Sequence, residues 1–210
     1  MLEASSIHGG KHTIAEDLDR IPLSYDNLIT RTILIGSLLK NVTESAENVG
    51  VLLPNSTKTL IVVLGLQLHN RIPAMMNYSI GSAGMKSACQ IAKIKTVLSS
   101  RTFIEKANLT DEVEQLSQLV TIVYLEDLAA NITRSDKLNA LLRCKTADFW
   151  YRPADYNPDK PAVILFTSGS EGTPKGVVLS HTNILANHKQ LEARINFNAQ
   201  EILGQTQTNN

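Results

Sequence analysis

The chain has 210 residues, 43% hydrophobic and 19% charged, the proportions of an ordinary soluble globular domain. Twenty Lys and Arg balance twenty Asp and Glu, so bulk charge gives no drive toward nucleic acid or an anionic membrane. Cys89 and Cys144 stand far apart without CxxC or Cys/His spacing, which argues against a disulfide framework and a zinc site and for two buried thiols.

The first twenty residues, "MLEASSIHGGKHTIAEDLDR", carry no charged-then-apolar signal pattern and read as a linker or N-terminal extension. From residue 21 helical and strand-like stretches alternate. "LSYDNLITRTILIGSLLKN" has a helical apolar stripe through Leu28, Ile29, Ile33, Ile35, Leu38 and Leu39, with Ser24 as N-cap. "NVGVLLP" is a short buried strand stopped by Pro54, and "STKTLIVVLGLQLHN" the next helix. Its apolar run "TLIVVLGLQL" is roughly half the length a membrane span needs, so no transmembrane segment is expected.

"RIPAMMNYSIG" reads as a strand edge and loop without periodicity, "SAGMKSACQIAKI" as helix and "KTVLSS" as strand. A weaker helix is expected at residues 110 to 118, the strand "VTIVYLED" after it, and a helix passing into loop at 135 to 150. "RPADYNPDKP" is a proline-rich linker, "AVILFTS" and "GVVLSH" are strands, and "TNILANHKQLEARI" is a helix. The alternation predicts an α/β fold with a mostly parallel sheet and flanking helices. Its strands are expected near 49–53, 95–99, 120–124 and 162–167, and residues 201–210 form a disordered tail.

Between the last two strands runs "TSGSEGTPKG", Thr167 to Gly176. Gly169 and Gly172 permit backbone conformations a Cβ would block, and successive N–H groups in such a loop can form an anion-binding concavity. Thr167, Ser168, Ser170 and Thr173 add hydroxyls, and Lys175 adds a mobile positive charge, so the segment describes a polyphosphate cradle. It is neither a Walker A loop nor a GxGxxG turn. A Gly/Ser-rich hairpin without ligand is the bland alternative.

The block Thr-Ser-Gly-Ser-Glu-Gly-Thr-Pro-Lys-Gly resembles the phosphate loop of the AMP-forming acyl ligases: acyl-CoA synthetases, adenylation domains and luciferases. "DRIPLSYDNL", "VGVLLPN" and "RIPAMMNYSIG" extend the resemblance upstream in the usual order, over residues 15 to 198. Glu171, "RIPAMMNYS" and "VYLEDL" are most similar to the bacterial bifunctional subgroup. That subgroup joins acyl-[acyl-carrier-protein] synthetase to 2-acylglycerophosphoethanolamine acyltransferase.

The resemblance implies activation of a fatty acid by ATP and Mg²⁺ as acyl-adenylate. Transfer to the thiol of acyl carrier protein, or CoA, then feeds phospholipid acylation. It places Thr167, Ser168, Gly169, Ser170, Glu171, Gly172, Thr173 and Lys175 at ATP, gives His181 a helix-start or packing role, and assigns no catalytic residue or metal ligand to this sequence. The Mg²⁺-binding Glu, the ribose-binding Asp and the small domain with the catalytic Lys lie downstream of the loop in such ligases. The expectation is therefore an N-terminal portion of the ligase domain over residues 21–200, inactive alone, with an exposed sheet edge and the other ligase half as a partner. It is also a cytoplasmic one, with inner-membrane association in the full-length enzyme. A non-catalytic nucleotide- or partner-binding remnant is the alternative.

His12 and Asp17 stand in the His-x4-Asp spacing of phospholipid acyltransferases. No apolar element surrounds them and no Pro-Glu-Gly-Thr companion follows, so the linker reading is preferred.

Overall fold

The computed structural model describes residues 1–17, 21–147, 157–167 and 174–194. A short helix α1 (Leu2–His8) and an antiparallel ribbon of β1 (Thr13–Ala15) and β2 (Leu23–Ser24) lead into the long helix α2 (Tyr25–Val42). Next come β3 (Asn48–Leu52), α3 (Thr57–Leu68), β4 (Ile72–Met75), a 3-10 turn (Tyr78–Ile80), α4 (Gly81–Ile91) and β5 (Thr96–Ser99). They are followed by α5 (Arg101–Lys106), α6 (Thr110–Ser117), β6 (Thr121–Tyr124), α7 (Leu125–Ala130) and α8 (Arg134–Lys145). The last described elements are β7 (Pro161–Thr167), β8 (Lys175–Ser180) and α9 (His181–Glu192).

Helix starts follow local chemistry. Ser24, Ser56 and Ser100 each accept the N–H three residues on, from Asn27 (3.3 Å), Thr59 (3.3 Å) and Phe103 (3.4 Å). Thr133 with Asp136, and Ser180 with Asn183, form reciprocal capping boxes at α8 and α9.

Among the described residues six strands form the main sheet in the order β6-β5-β3-β4-β7-β8, parallel throughout except for the antiparallel β7–β8 pair. Helices cover both faces. Leu39, Val62 and Leu66 of α2 and α3 pack on Val49, Val51 and Leu98 on one side. Met85, Cys89, Val113 and Leu116 of α4 and α6 pack on Leu52 and Val97 on the other. Strands buried on two faces favour apolar side chains, as at Val49, Val51 and Leu52 of β3 and Val97 and Leu98 of β5, and the buried Ser99 hydroxyl is satisfied by donating to the Leu52 carbonyl at 2.8 Å. Cys89 lies in this core, where burial pushes its thiol up to about 11.

Helices α2 and α3 approach closely at two glycines: a Cβ on Gly65 would stand 3.1 Å from the Gly36 nitrogen, and one on Gly36 would stand 2.9 Å from His69 Cδ2. His69 is thus wedged beside the crossing, with Nε2 buried and, among the described residues, without a hydrogen-bond partner. Burial first, then the nearby Arg71, Lys40 and Arg143, hold its pKa below the usual 6.5. Above that value His69 is neutral in the folded and unfolded chain alike. As pH falls through it, the unfolded chain takes up a proton that the folded one resists, so stability drops. Melting temperature should therefore decline from neutral pH toward mildly acid pH, with a shallower slope in a His69→Leu variant. Parallel slopes in the two proteins would remove His69 as a cause.

Strand β4 departs from expectation. It is an interior strand between β3 and β7, not a sheet edge. Pro73 hides the signal, because proline is usually confined to edges. The register shows how it is tolerated. Ile72 and Met76 donate to the carbonyls of Glu47, just before β3, and Val51, within it, at 2.9 and 3.0 Å, so the nitrogen of residue 73 faces β7. Extending the β4–β7 register puts the Ala162 carbonyl opposite that hydrogen-less nitrogen, and Gln67 Nε2 from α3 donates to it at 2.8 Å.

Further differences are local. Residues 2–8 and 13–15, within the stretch read as linker, form α1 and β1, and α5 was not foreseen. Residues 125–127, read as the end of a strand, are the first turn of α7. The expected tail at 201–210 and residues 152–156 of the linker read at 152–161 lie outside the described residues.

Among the described residues nothing covers the outer side of β8. Val177 and Val178, which point to opposite faces, are 41% and 55% exposed, and α9 buries none of its residues while exposing Ile184, Leu185 and Leu191. This agrees with the expected open edge. No described helix is long and apolar enough to cross a membrane.

Candidate functional site

The two strands flanking the Gly/Ser segment pair in register from Val163↔Leu179 to Thr167↔Lys175. Thr167 ends β7 and Lys175 begins β8, so the ladder holds their Cα atoms opposite each other at the mouth of the loop. Both are exposed, and Pro174 beside Lys175 is buried, anchoring the return of the chain. Ser168, Gly169, Ser170, Glu171, Gly172 and Thr173 lie outside the described residues. Of the sequence-predicted contacts, the fold therefore brings together Thr167 and Lys175.

Their position follows from topology. Helix α3, after β3, lies on one face of the sheet and α4, after the neighbouring β4, on the other. The chain thus leaves adjacent parallel strands in opposite directions, which opens a crevice at their carboxyl ends, where open α/β sheets bind ligands. β7 runs parallel beside β4 and delivers Thr167 to the same end. Asn55 and Ser56 after β3 and Asn77 after β4 share that rim. Asn77 Oδ1 accepts from Ser79 N (3.0 Å) and Ser79 Oγ (2.8 Å), shaping the turn there. The sequence reading left these rim residues unassigned. The cue was polar residues two to four places after a buried parallel strand.

The fit to a polyphosphate rests on donor chemistry: a hydroxyl and an ammonium, opposed across a rigid ladder and open to solvent, suit phosphate oxygens. Among the described residues no group of three or more His, Cys, Asp or Glu converges to hold a metal ion.

Other candidates resolve structurally. His181 is the first residue of α9, behind the Ser180 cap, in keeping with a helix-start role. The His12 ring stacks on Tyr25, centroids 6.3 Å apart, while Asp17 accepts from Thr57 Oγ1 at 2.9 Å. The two side chains serve different contacts instead of forming a dyad. Cys144 is half-buried against α2, its Sγ 3.8 Å from the Asp26 carbonyl, and both cysteines are free thiols.

A broad groove of about 900 Å³ lies between α6 and β6, lined by residues including Val113, Glu114, Thr121 and Tyr124. It sits at the opposite edge of the sheet from Thr167. Four strand spacings separate β6 from β7, roughly 19 Å, so the groove is not part of the β7–β8 site.

The profile of a family described as AMP-binding enzyme matches residues 6–207. The chain is 36% identical over 94 residues to the medium-chain fatty-acid–CoA ligase of Escherichia coli, covering 45% of this chain and 16% of that protein. It is 23% identical over 201 residues to the medium-chain-fatty-acid–[acyl-carrier-protein] ligase TtuA of Teredinibacter turnerae, covering 84% of this chain and 31% of that one. Among solved structures it resembles o-succinylbenzoate CoA synthetase from Bacillus subtilis in complex with its acyl-adenylate intermediate. The TM-score is 0.74 at 13% identity, over 95% of this chain and 47% of that one. The chain thus matches less than a third of the length of these two ligases and about half of the solved structure.

Proposed function

We propose that this chain, which belongs to the AMP-binding enzyme family, supplies the triphosphate-holding part of a ligase that activates a fatty acid as its adenylate. The observation that carries the reading is the β7–loop–β8 unit, which sets Thr167 opposite Lys175 at the carboxyl end of a parallel sheet. The fatty-acid ligases among the relatives support the acid class.

In this reaction a carboxylate oxygen bonds to the α-phosphorus of ATP, the α–β bridging P–O bond breaks, and pyrophosphate leaves. The approach of one anion to another must be made favourable. Lys175 neutralises and orients the outer phosphates, Thr167 offers a hydroxyl beside it, and residues 168–173 lie between them in sequence. Mg²⁺ bound with ATP would offset further phosphate charge. The acceptor in the second step is read as acyl carrier protein, with CoA as the competitor, and the product as a donor for phospholipid acylation. The remaining half of the ligase is read as the partner of the β8 edge. The bifunctional synthetase/acyltransferase subgroup remains the finer assignment, and a cytoplasmic place the expected one.

The decisive experiment joins residues 21–200 to the C-terminal part of the Escherichia coli relative and measures fatty-acid-dependent exchange of pyrophosphate into ATP. Exchange above that of the C-terminal part alone is expected. A folded chimera that binds ATP without exchange favours a non-catalytic nucleotide- or partner-binding remnant. Neither binding nor exchange would overturn both.

A further inference from the structure

Helix α8 is built the wrong way round for a helix that only packs on its own domain. Its inner face is small: Ala140 is 2% exposed and, with Cys144 and Ala147 just beyond the helix end, rests on Ile29 and Ile33 of α2. Its large apolar residues point outward, Leu138, Leu141 and Leu142 being 58%, 52% and 55% exposed. At helical spacing these three form one stripe, with Arg134 one turn before Leu138 and Lys145 one turn after Leu141, on the same face. Lys137 stands beside it, and all three cations are exposed. The one acid of the helix, Asp136, is engaged in the capping box with Thr133. A leucine stripe closed at both ends by cations is the pattern of a helix lying in a bilayer interface, where leucines enter the acyl boundary and cations reach the headgroups.

From this arrangement we infer that α8 docks the protein on an anionic lipid surface through Leu138, Leu141 and Leu142, with Arg134, Lys137 and Lys145 against the headgroups. The bulk charge balance does not oppose this, because α8 is locally basic: Arg134, Lys137, Arg143 and Lys145 against Asp136. The three leucines are more than half exposed along one helix face, which suits a deformable lipid surface. The inference is independent of the nucleotide-site reading, since α8 packs on α2 and lies outside the β7–β8 unit.

The experiment is vesicle flotation of the 210-residue chain with phosphatidylcholine alone and with an equal mixture of phosphatidylcholine and phosphatidylglycerol. Binding to the mixed vesicles only, weakening with salt, is expected. Leu138→Ser, Leu141→Ser and Leu142→Ser together should lower partitioning at least about tenfold, with unchanged circular dichroism because the inner face is untouched. Arg134→Glu with Lys145→Glu should do the same while keeping every leucine. Val178→Ser on the bare β8 edge should leave binding intact. Equal binding to both vesicle types, binding that follows Val178, or none at all would overturn the inference. So would a stripe whose loss changes only self-association in sedimentation, which would make the partner another protein chain.

Discussion

Lys175→Ala lowers pyrophosphate exchange by the joined ligase about ten- to hundredfold, because it removes one charge-assisted contact to phosphate worth roughly 1.5–3 kcal/mol. The geometry limits what else the substitution can do. Lys175 is exposed, opens β8 and pairs through its backbone with Thr167, so truncation leaves the ladder and Pro174 in place. The urea midpoint should therefore match the parent protein. Lys175→Arg keeps the charge on a longer planar head and should recover part of the rate, while Lys175→Gln should not. Unchanged exchange in the alanine variant would take Lys175 out of the site. A rate loss matched by a fall in the urea midpoint would make its role structural.

Arg71→Ala should destabilise the chain by about 3 kcal/mol, a large fraction of a small domain's stability. Arg71 is 8% exposed and, among the described residues, has no carboxylate in ion-pair range. Instead its Nε donates to Thr43 Oγ1 (3.0 Å), and one terminal nitrogen donates to the carbonyls of Thr43 (2.6 Å) and, more weakly, Lys40 (3.4 Å). The other donates to the His69 carbonyl. The guanidinium thereby satisfies carbonyls at the C-terminal end of α2, where the helix dipole also favours a cation, and ties that end to the start of β4. Its fork holds several acceptors at once, which one ammonium cannot, so Arg71→Lys should recover less than half of the loss. Equilibrium urea unfolding with an unchanged slope is the measurement. A loss below about 1 kcal/mol would mean that water replaces these contacts readily.

Arg71 also marks the limit of sequence reading. In "NRIPAMM" it looks like a surface cation before a strand, since nothing local shows that three carbonyls from α2 and α3 converge on it. β4 was obscured for a related reason: Pro73 breaks the strand signature, and the side chain that makes up for its missing N–H, Gln67, comes from the preceding helix. The start of α2 was readable because Ser24 acts within three residues of its own position, whereas α5, capped by Ser100 in the same way, was not. The strands at 48–52, 96–99, 121–124 and 161–167 were readable as short runs rich in Val, Ile and Leu between polar or proline-bearing stretches, the first two of them buried on both faces.

The sequence by itself determined the α/β alternation, the start of α2 and the chemistry available at Thr167–Lys175, since each depends on residues close along the chain. Tertiary structure alone decided the strand order, which sets β7 beside β4 and Thr167 at the carboxyl-end crevice. It alone decided that Arg71 is buried as a carbonyl cap, that His69 is wedged at the α2–α3 crossing, and that α8 turns Ala140 inward and its leucines out. The physical reason is the same in each case. These outcomes depend on which surface comes to lie against which, and hydrophobic burial has no direction along the chain.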